Sequence, residues 1–394
     1  MAGALKTFED AENYCQSFIS PDHAPKTRTL RRITHLMQVL GNPQKHLHVI
    51  HVTGSYGKSS TAYMIASLLE QKGLTVGLHT KPHLQSITER ISINRILIPK
   101  DVFVGYVNKI KLVVDTMDEQ PTYFELLVAI MLLYFYESHV DVAVIEVGRG
   151  GRLDATNICV GNMLVITNIF LVHTDILGNT KEKILKEKMG LMKPHTNIIS
   201  GVTQQPLQTS MRRLAKPFQT TIHFSNTDRI KNISIPFGGS VQRTNAALAL
   251  LAATTYTDLT DTHINAGFSS MKFPGRFEVQ PVGTNTIIMD SAHDEEKMRL
   301  LLQDIQLNYP KQKMTVILRK KKTEEVHAFT TILQPIAHRF LFVSLEQKEK
   351  NQCMTVPEVI RYIKKQTNTL FLVTSSIHLI GTIRAGLSIP YRLK

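Results

Sequence analysis

The sequence predicts an α/β protein built on a parallel-rich sheet and continued into a second, smaller α/β domain. Three observations carry that expectation. Short apolar runs rich in Val and Ile alternate with segments of helical periodicity. A glycine turn with a lysine separates the first such run from the first long helical pattern. The alternation breaks at the Pro-Gly of FPGRFE, Phe273 to Glu278, and then restarts, which marks a domain boundary near there.

Taken in order, His46 to Thr53 (HLHVIHVT) reads as the first buried strand and Lys58 to Lys72 as the helix after it. Runs at Thr75 to His79, Asp141 to Val147 and Met163 to Ile169 are of strand length and composition. Between them, Lys100 to Met117 and Thr122 to His139 carry the apolar period of helices, and Gly238 to Ala253 is an Ala- and Leu-rich helix. Beyond FPGRFE come strand Thr286 to Asp290, helix Glu295 to Asn308, strands Met314 to Leu318 and Arg339 to Leu345, helix Val356 to Lys365, and strand Thr369 to Thr374. Such a run makes an independent core of about a hundred residues.

The chain has 394 residues, 43% hydrophobic and 20% charged, which excludes a peptide hormone or a wholly disordered tail. Lys and Arg total 46 against 32 acids, and the net charge of +14 favours anionic partners: nucleotides, nucleic acid or polyanionic metabolites. Cys15, Cys159 and Cys353 stand far apart without a C-x-x-C pair, so neither a disulfide scaffold nor a zinc ribbon is expected. The first residues carry acids and lack a signal-like apolar core, and the longest apolar run, Leu126 to Tyr136, is shorter than the roughly 20 residues that cross a bilayer. A cytoplasmic protein with no membrane partner is the expectation.

The sharpest motif is Gly54-Ser55-Tyr56-Gly57-Lys58-Ser59-Ser60, between a predicted strand and a predicted helix. In such a turn backbone N–H groups face phosphate oxygens, the helix N-terminus adds positive potential, and a lysine neutralises the β and γ phosphates. A hydroxyl of Ser59 or Ser60 suits magnesium. The spacing is two residues shorter than G-x-x-x-x-G-K-[ST], and a capped helix start is the plainer alternative.

The short loop resembles that of the Mur ligase superfamily, and further blocks narrow the resemblance to the folylpolyglutamate synthase and dihydrofolate synthase family. HVTGSYGKSS is similar to HVxGTNGKGS, and the stretch from Gly73 through HTKPHL to Glu89-Arg90-Ile91 to GxxVGxxTSPHL…ERI. PTYFE, DVAVIEVGRGGRLDATN, HTDILGNTKEKILKEKMGLMKP, QRTNAALAL, FPGRFE, DSAHD and VTSSIHLIGTIR follow in the family's order over most of the chain. The resemblance implies a Mur-ligase-like P-loop ATP-binding domain over residues 1–276 and a smaller C-terminal Rossmann-like α/β domain, the glutamate-ligase domain, over 277–394. It implies an ATP- and Mg2+-dependent ligase that phosphorylates the carboxylate of dihydropteroate or a reduced folate and joins it to the amine of L-glutamate. A monomer without a nucleic-acid partner is implied as well.

By the same resemblance, Gly54, Ser55, Gly57, Lys58, Ser59 and Ser60 hold the phosphates, with Lys58 on the transferring group and Ser60 on the first magnesium. Glu146 matches a magnesium-ligating glutamate, His173 a histidine on a second magnesium, and Lys188 a lysine that is often carbamylated. Read by themselves, the three are also a solvated strand end, a loop or core histidine, and a helix-surface lysine. Asn245 would touch adenine, Arg276 the phosphates, and Asp290 with His293 the ribose or adenine side, with nucleotide held between domains; Arg276 is otherwise a solvated linker residue. Thr122, Tyr123, Phe124 and Glu125, with Arg28, Thr29 and Leu30, align with segments that contact the pterin substrate, although aromatics at a helix start serve core packing equally well.

The sequence also departs from the pattern. Lys81 stands at the serine of TSPHL, Tyr56 at the loop asparagine, Arg149 at a hydrophobic residue of GLGG, and Val172 at the aspartate before the histidine. Ser291 and Asp294 alter DGAHN, and Arg319-Lys320-Lys321-Lys322 replaces a small and acidic run. A solvated loop explains that basic run better than nucleic-acid binding does. Two functional readings follow: an active ligase in which Lys81 serves as a phosphate clamp, or a catalytically impaired or repurposed ATP- or folate-binding homologue.

Overall fold

The computed structural model describes residues 3–19, 28–235, 239–320, 323–345, 353–391 and 393, with the side chains of Ser240 and Thr323 left aside. The chain divides into two compact units. The larger comprises Met1–Lys81, Ile87–Ser234 and Thr244–Ser269, the smaller Pro82–Ser86, Ile235–Arg243 and Ser270–Lys394.

Among the described residues the larger unit holds an eight-stranded sheet. In chain order its strands are β1 (Val49–Thr53), β2 (Val76–His79), β3 (Ile91–Ile93), β4 (Ile96–Leu97), β5 (Val142–Glu146), β6 (Gly161–Ile166), β7 (Asn197–Ser200) and β8 (Ile222–Phe224). They lie in the order β4-β3-β2-β5-β1-β6-β7-β8. From β2 to β8 all pairs are parallel, and β3 and β4 add an antiparallel hairpin at one edge. β1 and β5 are buried at every position, as continuous Val/Ile runs require in a sheet covered on both faces. The Lys58–Gln71 helix is buried from Ser60 to Leu69 rather than on one stripe. Gly267 allows this: a Cβ there would overlap Leu68, and without one the Asp261–Ser269 helix comes close enough for Ser67 Oγ to donate to Gly267 O at 2.7 Å. The Tyr123–Glu137 helix, also buried nearly all round, packs in the same core as Phe103, Val107 and Ile110 of the Lys100–Val114 helix.

Most predicted elements are present with ends moved by a few residues. The first strand begins later than predicted, at Val49, because Pro43–His46 forms a 3-10 turn entered through Asn42 at φ 54°. The strand predicted to run from Met163 to Ile169 ends at Ile166. Past it, Thr167 N still donates to Thr53 O at 2.9 Å and Asn168 O accepts from Ser55 N at 3.1 Å, while both side chains bind the glycine turn.

Among the described residues the smaller unit carries a five-stranded sheet in the order β12-β11-β13-β10-β9, where β9 is Glu278–Val282, β10 Asn285–Met289, β11 Met314–Arg319, β12 Ala337–Val343 and β13 Leu370–Thr374. Only the β9–β10 pair is antiparallel. Apolar clusters cover both faces, one around Ile287, Phe371 and Ile383 and one around Ile288, Val316 and Leu372. Of the basic run, Arg319 closes β11 and Lys320 follows it, while Lys321 and Lys322 lie outside the described residues.

The three cysteines are free thiols, and burial raises those of Cys15 and Cys159 to about 12, which suppresses the reactive thiolate. Among the described residues no helix is long and apolar enough to cross a membrane.

Candidate active site

The site forms at the C-terminal ends of the parallel strands of the larger unit, where open α/β sheets present ligands. After β1 the chain turns through Gly54 at φ 144° and Gly57 at φ 76°, conformations that favour glycine. A Cβ at Gly54 would overlap the Thr167 side chain, and one at Gly57 the Asn245 amide. Three polar side chains fix the turn. Thr167 Oγ1 donates to Tyr56 O at 2.5 Å, Asn168 Oδ1 accepts from Tyr56 N at 2.9 Å, and Ser55 Oγ accepts from Phe170 N at 2.9 Å. The helix then starts at Lys58.

A second glycine turn follows β5. Asp154, buried at 3% exposure, accepts from Arg149 N at 2.8 Å and from Thr156 N and Oγ1, while Thr53 Oγ1 donates to Gly150 O at 2.9 Å. Gly151 lies so close to the Lys181–Met189 helix that a Cβ would overlap the carbonyls of Glu187 and Lys188. The helix and the two turns enclose a cavity of about 60 Å³, lined by Gly54, Ser55, Lys58, Lys81, Val147, Gly148, Arg149, Gly150, His173 and Lys188 among others.

The cavity is electropositive. Lys58 Nζ donates to Gly54 O and Ser55 O at 3.1 and 3.2 Å, and Lys188 Nζ donates to the same Gly54 O at 2.8 Å. Lys188 is thus a buried residue of the site and not a helix-surface lysine. Burial first, then the charges of Lys58 and Lys81, bring its ammonium down to about 7. His173 caps the Thr174–Leu177 helix at φ 51°; burial, then Arg149, Lys58 and Lys81, lower its proton affinity and keep the imidazole neutral at pH 7. Glu146 closes β5 at 3% exposure, and its Oε2 accepts from Lys81 N at 3.0 Å. Ser59 Oγ donates to Lys81 O at 3.1 Å, so Lys81 is clipped at both backbone ends. Ser60 is buried on the helix behind the turn. Among the described residues no group of three or more His, Cys, Asp or Glu is placed to hold a metal ion.

The sequence-predicted residues thus fall into three sets. Gly54, Ser55, Lys58, His173 and Lys188 line one cavity, Glu146 touches its wall through Lys81, and Asn245 lies against Gly57. Of the expected pterin contacts, Thr122 and Glu125 form the capping box of their helix, and Glu125 Oε2 pairs with Arg32 Nε at 3.2 Å. Phe124 lies over Gly148, where a Cβ would overlap its ring, and Tyr123 stacks under the Arg90 guanidinium at 5.5 Å. Arg28 Nη2 donates to Arg149 O at 3.1 Å; Thr29 Oγ1 accepts from Arg31 N, and Leu30 leads into the Arg31–Val39 helix.

Arg276, Asp290 and His293 belong to the smaller unit. There Arg276 donates to Ser291 Oγ and Gly275 O, Asp290 accepts from Phe277 N and Ala292 N at 2.8 Å each, and His293 Nδ1 lies 2.9 Å from Ser291 O. Thr53, Asp154, Thr167 and Asn168 hold the cavity yet were not singled out as site residues. Their signal was a polar pair ending an apolar strand and an aspartate just after a glycine turn.

Residues 52–280 match the family described as Mur ligase middle domain. The chain is 32% identical to the dihydrofolate synthase/folylpolyglutamate synthase of Bacillus subtilis, over 91% of this chain and 94% of that one. Its structure superposes on the apo folylpolyglutamate synthase of L. casei with a TM-score of 0.88 at 27% identity, over 97% of this chain and 100% of that one. A folylpolyglutamate synthase complex with AMPPCP and folate gives 0.85, also at 27% identity and the same coverage. The fold, its glycine turn and these likenesses together place the chain in the folylpolyglutamate synthase/dihydrofolate synthase family of Mur ligases.

Proposed function

We propose that this chain is an ATP-dependent ligase that joins the carboxylate of a pteroate or folate to the amine of L-glutamate through an acyl phosphate. The observation that carries this reading is the convergence of Lys58 and Lys188 on Gly54 O, inside a glycine turn held by Thr167, Asn168 and Ser55. Relatives named as dihydrofolate and folylpolyglutamate synthases, one of them in complex with AMPPCP and folate, support it.

In the reaction a carboxylate oxygen attacks the γ phosphorus and ADP leaves. The glutamate amine then attacks the acyl carbon, the C–O bond to phosphate breaks, and the amine proton passes to solvent. Both steps bring anions together, so the positive cavity and the preset turn lower the barrier by holding charge where it develops. Lys58 holds the transferring phosphoryl group, and Asn245 fixes the far side of the turn. Phe124 offers a ring beside the Gly148 turn for a flat pterin, and Tyr123, stacked under Arg90, the other face of a second. Asp290, His293 and Arg276 remain proposed nucleotide contacts on the strength of the resemblance alone.

By the resemblance Glu146, Ser60 and His173 would hold magnesium, which takes few protein ligands when phosphates supply the rest; of the three, His173 lines the cavity and Glu146 adjoins it through Lys81 N. When bound, the metal neutralises phosphate charge. Lys188, lowered to about 7, holds a substantial neutral fraction at physiological pH, the form that a carbamate requires. A cytoplasmic monomer without a nucleic-acid partner completes the proposal.

The test is ADP release by the purified protein with Mg2+, with dihydropteroate or tetrahydrofolate as acceptor, and Lys58→Ala as the blank. Release that needs both acceptor and glutamate supports the ligase and identifies its acceptor. ATP binding without release above the blank supports the impaired or repurposed homologue instead.

A further inference from the structure

Two basic side chains of the cavity have no structural task. Lys58 and Lys188 each give a donor to the carbonyl of Gly54. The Lys81 ammonium and the Arg149 guanidinium, which line the same cavity, make no hydrogen bond or ion pair with any described residue. Lys81 is nonetheless placed with care. Its N–H is held by Glu146 and its carbonyl by Ser59, so its stem starts from a fixed point beside the glycine turn. Arg149 is fixed in the same way, its N–H on Asp154 and its carbonyl on Arg28. Among the described residues no Asp or Glu lines the cavity. Lys81 is half-buried and Arg149 exposed, so water reaches both, but among the described residues several cations face a pocket of about 60 Å³ with no lining acid, and their summed field favours an incoming anion.

We infer that Lys81 and Arg149 bind a phosphate oxyanion directly, so that this chain holds the polyphosphate of its nucleotide even when divalent cations are withdrawn. The inference rests on the nucleotide reading of the site and adds to it a cation pair that takes over charge neutralisation. Arg149 brings a planar fork suited to two phosphate oxygens, and Lys81 a point charge.

Calorimetric titration of ATP and of inorganic tripolyphosphate, each in EDTA and each in Mg2+, tests it. The expected result is that the wild type binds both ligands in EDTA. Lys81→Ser then weakens both roughly 10-fold or more in EDTA and much less in Mg2+, Arg149→Leu weakens them less, and Lys81→Arg retains most of the affinity. Lys81→Met, which keeps the apolar stem, serves if the serine variant does not fold, and thermal melting of each variant checks the fold. The inference is overturned if the wild type binds neither ligand in EDTA, or if the Lys81 variants match it within twofold there. Binding of ATP without tripolyphosphate also overturns it, because the affinity would then come from the nucleoside. Failure of the ligase reading looks different: tripolyphosphate binds as expected, but ADP release ignores glutamate.

Discussion

Both units place polar residues just beyond the ends of parallel strands, but the residues are spent differently. In the larger unit, Thr53, Asp154, Thr167 and Asn168 hold two glycine turns, and Lys81 and Arg149 are left facing a cavity. In the smaller unit the strand ends bind one another. Asp290 after β10 takes two backbone amides, Ser375 after β13 accepts from Arg319 N at 2.8 Å, and Asp294 caps the next helix while pairing with Lys297 at 2.8 Å. One set of strand ends is preorganised for an incoming anion and the other is largely satisfied by its own backbone. Where a strand-end carboxylate or hydroxyl bonds, and not only that it is there, separates a binding edge from a structural one.

That contrast is open to direct attack. The largest effect is expected at the glycine turn: Gly57→Ala puts a side chain on Asn245 at positive φ, and ATP affinity should fall roughly 100-fold or more, read by calorimetry. Lys58→Ala should lower glutamate-dependent ADP release by about 100-fold while the melting temperature stays within a few degrees, since the ammonium's bonds to Gly54 O and Ser55 O are made within one loop.

Acid should weaken the larger unit first. Among the described residues its buried histidines have no counterpart in the smaller unit, and burial lowers His51 from 6.5 to about 4 and His79 from 6.5 to about 3. Each is neutral when folded, so the unfolded chain binds more protons as pH falls below 6.5. The stability from this source is complete above that pH and is lost downward, by about 1.4 kcal/mol per pH unit per histidine, until the folded values are reached. Urea titrations at pH 7.5, 6 and 5 measure the slope; a flat profile would mean that the two rings are not buried neutral. The smallest effect belongs to the other unit. Asp290→Ala strands two amides and should cost about 1–3 kcal/mol in the same titrations, and a variant that kept full stability would put Asp290 among the free, ligand-facing groups.

Much of this arrangement was legible in the sequence because its causes are local. Buried parallel strands need Val/Ile runs, and a phosphate turn needs glycines at fixed places before a lysine. The β3–β4 hairpin was not legible, because its turn uses Asn94 and Arg95 at φ 48° and 61° where a glycine would have announced it. β9 carries Pro281 and alternates exposed with at most half-buried positions after Glu278 at a sheet edge, which gives a weak strand signal. Thr167 and Asn168 read as strand because they extend an apolar run; only the fold shows that they turn back to Tyr56. The substitution at Lys81 was visible, but not that Glu146 and Ser59 hold its backbone, since those residues meet only across three strand ends.

The central claim, that this site activates a carboxylate with ATP, is tested most directly by isotope transfer. The acceptor folate or pteroate would be labelled with 18O in its terminal carboxylate, turned over with ATP and glutamate, and the released phosphate analysed by mass spectrometry. An acyl phosphate predicts one 18O in each phosphate released along with amide product. Unlabelled phosphate beside that product, or phosphate released without any amide, would contradict the account.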